Sequence, residues 1–85
     1  MNKLQKNYAL AKAAYDTAIE TETWELVEGL ELPYIEAEGT MVEWALEHAE
    51  QSGMIPAKLL ETLKEKWMFP QYKTRMVDLA FKLEI

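Results

Sequence analysis

Glu43, Glu47 and His48 lie within about one helical turn of each other, and carboxylate with imidazole is a metal-ligand chemistry. Glu43 and Glu47 share a helical face at i, i+4. Di-iron helical bundles, however, need Glu-x-x-His pairs projecting inward, and the residue three before His48 is Ala45. His48 also stands about 100° round a helix from Glu47, which makes joint ligation awkward. The spacing therefore predicts a solvated acidic face with one histidine, and no metal or cofactor is assigned.

Nucleophilic chemistry is poorly supplied. The single serine, Ser52, follows the single histidine by four residues, and there is no cysteine. A Ser52–His48 pair would lack an oxyanion motif, and a helix-end serine ordinarily bonds to local backbone. Paired carboxylates could exchange protons only in a pocket that separates their pKa values. No glycine-rich phosphate loop occurs. The C-terminal third interleaves Lys64, Lys66, Lys73 and Arg75 with Trp67, Phe69 and Tyr72, a mixture able to stack bases. Its charge is only +2 within a chain of −6, so core aromatics flanked by lysines are expected and nucleic-acid binding is not.

The strongest pattern is electrostatic. Between Ala13 and Ala57 the chain carries eleven carboxylates and no lysine or arginine, a middle of −11 between flanks of +3 and +2. Like charges held on one compact surface repel, and something must use or neutralise that repulsion. The block can present an anionic face to a basic protein partner, imitate the phosphates of DNA, or form a solvated surface neutralised by the flanks.

The elements that carry these residues read as helices. Leu4, Tyr8, Ala11, Tyr15, Ala18 and Ile19 recur at spacings of three and four, and Leu26 returns to the same face. One long first helix to about Glu28, with Gly29 as a left-handed cap, is preferred. The competing reading takes Trp24, Leu26, Leu30 and Leu32 as alternating strand positions around a turn at Glu28-Gly29, which lacks the favoured Asn-Gly or Asp-Gly pair. Leu30 to Gly39 is expected to be a connector broken by Pro33. Thr40-Met41-Val42-Glu43 has the form of a capping box opening a second helix that ends at Gln51-Ser52-Gly53. Pro56 starts a third helix with Leu59, Leu60, Leu63 and Trp67 as its stripe, and a fourth from about Gln71 carries Tyr72, Met76, Leu79, Ala80 and Leu83. The fold class is all-α: a small bundle of about four helices, a long N-terminal one and three shorter, forming one domain over residues 1–85.

On this scheme Trp44 lies about 200° from Val42 and about 160° from Leu46, off the core stripe, with Met41 leaning the same way. Trp24 is likewise off the main face. Trp24, Met41 and Trp44 are the expected apolar anchors of an interface, and Glu25, Glu28, Glu43 and Glu47 its rim charges. An apolar content of 49% with three tryptophans in 85 residues is hard for a monomer to cover, which predicts a homodimer or higher oligomer. No run approaches the roughly 18 apolar residues of a membrane span, and the N-terminus lacks a signal peptide's apolar stretch. An intact, cytoplasmic, non-enzymatic interaction module or adaptor is expected, of the size common in accessory or mobile-element proteins, with a basic protein partner. A nucleic-acid-mimicking inhibitor is the second reading, and a small carboxylate-using enzyme the third.

Overall fold

The computed structural model describes residues 2–83. Among these the chain is all-α, with four helices: α1 (Lys3–Glu20), α2 (Trp24–Ser52), α3 (Ala57–Lys66) and α4 (Pro70–Lys82). It forms two compact units, Met1–Thr40 and Met41–Ile85, whose boundary falls inside α2.

The first unit holds α1 and the N-terminal half of α2. Asn2 caps α1 reciprocally: its Oδ1 accepts from the Gln5 amide at 2.9 Å, and its own amide donates to Gln5 Oε1 at 2.7 Å. The buried Gln5 thereby has its side-chain oxygen satisfied.

The helix expected to run to Glu28 stops at Glu20 instead. Thr23 N–H donates to the Ala18 carbonyl at 2.9 Å and Glu22 N–H to the Ile19 carbonyl at 3.0 Å, the outer six-residue bond and the inner four-residue bond of a Schellman end. Glu22 supplies the left-handed residue, with φ 55°. Thr21 Oγ1 bonds back to the Thr17 carbonyl at 2.9 Å and lies 2.9 Å from Thr23 Oγ1. These threonines hold the turn with hydroxyls that a helix interior would leave competing with its backbone.

The expected connector from Leu30 to Gly39 is helical throughout, and the longest helix is the second rather than the first. Pro33 sits inside α2. It cannot donate the bond that the Gly29 carbonyl would accept, but Gly29 is exposed and that carbonyl can be hydrated. Gly29 is therefore an interior helical residue, not a cap. The supposed capping box fails for a related reason. Thr40 Oγ1 donates to the Glu36 carbonyl at 2.9 Å, a bond that exists only if the helix already runs through Thr40.

Packing in this unit is aromatic. Tyr8 is buried, and the Tyr34 ring lies 5.9 Å from it and 5.1 Å from Tyr15, the latter pair stacked. Ala18 leaves room for close approach, and Glu38 is buried in the same unit.

The second unit holds the rest of α2 with α3 and α4. Val42, Leu46, Leu60, Leu63 and Met76 form its core, with Ile55, Trp67, Tyr72, Val77 and Leu79 packed against it. Its helices end and start as their sequences predict. Gly53 (φ 68°) closes α2, with Met54 N–H donating to the Ala49 carbonyl at 3.2 Å. Pro56 precedes α3, and Pro70 opens α4 behind Phe69. Leu59, expected in the α3 stripe, is exposed, and Leu60 and Leu63 carry the buried face.

Candidate functional site

Glu43, Glu47 and Glu50 stand at i, i+4 and i+7, so one side of α2 in the second unit becomes a row of exposed carboxylates. The row borders a groove of about 340 Å³ whose other lining residues are Leu46, Lys64 and Trp67. Leu46 belongs to the core and Trp67 is half-buried against it, so part of the groove's lining is apolar and aromatic. Lys64 Nζ donates to Glu50 Oε2 at 2.6 Å, across the gap between α3 and α2. Among the described residues neither Glu43 nor Glu47 makes an ion pair. Carboxylates beside an indole face form a receptor for a cation: the ring attracts positive charge through its quadrupole, and the carboxylates accept its N–H groups.

The residues singled out in the sequence divide between the two units. Glu43 and Glu47 come together in the groove. Trp24, Glu25 and Glu28 belong to the first unit, all three exposed. Met41 is fully buried, because α2 continues through it and turns it to a buried side with Val42 and Ala45. It has no surface to offer a partner. Trp44 is half-buried, its ring 6.3 Å from that of His48 in a stacked arrangement. On α2 it sits about 100° round from Glu43, away from the acidic row. Glu50, Lys64 and Trp67 were not anticipated as a group. The i, i+7 spacing from Glu43 was the available signal for Glu50, whereas α3 meeting this stretch of α2 is tertiary information.

Ser52 Oγ donates to the His48 carbonyl at 2.8 Å, so the hydroxyl is spent on backbone. Among the described residues no group of three or more His, Asp or Glu side chains is placed to hold a metal ion, and no helix is long and apolar enough to cross a membrane. Two titrating groups stand out electrostatically. The Tyr8 phenol is pushed well above its ordinary value, chiefly by burial, then by a hydrogen bond with Tyr34 and by the nearby charges of Tyr34, Glu38 and Asp16. Lys12 is raised by its hydrogen bond to Asp16 one turn along α1 and by that residue's charge. Comparison with known proteins brings no identification: no protein family matches the chain, and no characterised protein or solved structure is significantly similar to it.

Proposed function

We propose that this chain is a non-enzymatic interaction module that seats a basic segment of a protein partner in the groove of its second unit. A guanidinium of the partner lies over Trp67 and is held by Glu43 and Glu47. The observation that supports this reading is the imbalance of the groove: three carboxylates from α2, one lysine taken up by Glu50, and a tryptophan among the lining residues. Arginine suits such a site better than lysine, because its planar fork bonds two carboxylate oxygens while its face stacks on an aromatic ring.

The reading is tested with a short arginine-bearing peptide and a control carrying citrulline in its place, followed by nuclear magnetic resonance of the indole N–H signals. The arginine peptide should shift the Trp67 signal, the citrulline control should not, and Glu43→Gln with Glu47→Gln should weaken the effect at least roughly tenfold, since both carboxylates that hold the guanidinium lose their charge. Equal shifts from both peptides, or none from either, would remove the proposal.

A further inference from the structure

We propose that Tyr15 and Tyr34 are an oxidative cross-linking site, at which a one-electron oxidant joins the two phenol rings by a carbon–carbon bond and so ties α1 covalently to α2. The fold of the first unit sets up the pair. Tyr15 comes from α1 and Tyr34 from α2, and their ring centres lie 5.1 Å apart with the planes 25° from parallel. Both residues are half-buried, so a small oxidant reaches them while a second chain is hindered from meeting a radical formed there. The other neighbour of Tyr34 is Tyr8, which is buried, tilted by 35° at 5.9 Å, and hydrogen-bonded with Tyr34. That bond anchors Tyr34, and Tyr8 is the more distant and the more buried of its two partners. The fourth tyrosine, Tyr72, belongs to the second unit. The chain has no cysteine, whose thiol would intercept the oxidant first.

The reaction balances as a loss of two hydrogen atoms. Each phenol gives one electron to the oxidant and its O–H proton to water, leaving a phenoxyl radical with spin density on the Cε atoms beside the oxygen-bearing carbon. One Cε of Tyr15 and one of Tyr34 pair their electrons in a new bond. Each of those carbons then sheds its hydrogen as a proton, and each oxygen takes a proton back, which restores both aromatic rings. A direct ring-to-ring bond sets the two centres slightly closer than the stacked contact, so coupling needs a shift shorter than a bond length and a slide of one ring. Rings already held in contact favour this partner over one met by diffusion. The product closes the stretch from Tyr15 to Tyr34 across the Schellman turn, which takes conformational freedom from the unfolded chain.

The pair lies in the first unit and the groove in the second, so this inference and the groove reading fail separately. The experiment exposes the full chain, at about 1 µM to suppress encounters between chains, to a photo-activated ruthenium complex with persulfate, which removes single electrons. Cleavage after glutamate then separates residues 1–20 from residues 32–36 unless a bond joins them. The monomer should become lighter by two hydrogen atoms, and the two peptides should be recovered joined, with the fluorescence of a linked biphenol. Fragmentation should place the bond at Tyr15. In urea the yield of joined peptide should fall roughly tenfold or more, since the rings lose their fixed proximity. Tyr15→Phe should lose the joined peptide, and Tyr8→Phe should keep it.

Joined peptide at wild-type yield in Tyr15→Phe, fragmentation that places the bond at Tyr8, or an equal yield in urea would each overturn the proposal. So would a product made up of cross-linked dimers, or of chains oxidised at tryptophan with no tyrosines joined. If Tyr15→Phe loses its helical circular dichroism, fragmentation of the wild-type peptide decides the assignment alone.

Discussion

At Tyr8 a phenol is buried among groups that all resist its ionisation: low-dielectric packing, the neighbouring Tyr34, and the carboxylates of Glu38 and Asp16. Its folded-state pKa lies above its unfolded one, so above the ordinary value the folded chain binds more protons at this site than the unfolded chain. The stabilisation is complete below the tyrosine's ordinary pKa of 10.0 and is lost as pH rises beyond it. For one proton the limit is about 1.4 kcal/mol per pH unit. Urea midpoints should therefore fall between pH 9.5 and pH 11 (values on either side of roughly 10), and less steeply in Tyr8→Phe. An identical fall in both proteins would place the loss at other groups. The position of Tyr8 was legible in the sequence, since it belongs to the three-and-four spacing of α1. Its partner Tyr34 was not, because the residues around Pro33 look like a connector until the helix is seen to run through them.

Helix ends decide what could be read from the elements. The second unit was legible because its boundaries use residues whose backbone preferences are strong and local: Gly53 for a positive φ, and Pro56 and Pro70 at helix starts. The first unit inverts those signals. Its sharp stop uses Glu22 at φ 55°, a residue with no sequence mark of a left-handed site, while Gly29 and Pro33 lie inside a helix. There the apolar face, not the local propensity, sets the structure. Thr40 separates the two possibilities experimentally. If it capped a helix, Thr40→Ala would cost about 1 kcal/mol. As an exposed interior residue bonded back to Glu36, it should gain a few tenths of a kcal/mol on replacement by a better helix former. Chemical denaturation at neutral pH reads the sign, and a clear loss would restore the capping box.

For the molecule as a whole the charge pattern was the clearest message of the sequence, and the structure shows where it goes unanswered. Among the described residues the ion pairs are Lys12–Asp16 and Lys64–Glu50, both on exposed side chains. Exposed pairs of this kind contribute about 0 to 1 kcal/mol each. Glu20, Glu22, Glu25, Glu28, Glu31, Glu36, Glu43 and Glu47 are exposed, with no cation paired to them among the described residues. Successive members of this series stand no more than about two helical turns apart, at or within the Debye length of about 10 Å at 0.1 M salt, so added salt should screen the repulsion between neighbours. At pH 7 and about 1 µM protein, low enough to dissociate weak contacts, the denaturant midpoint should rise between low and moderate salt. A midpoint that falls with salt in dilute protein would mean that Lys58, Lys64 and Lys66 neutralise the acidic middle from within, leaving no free anionic face for a basic partner.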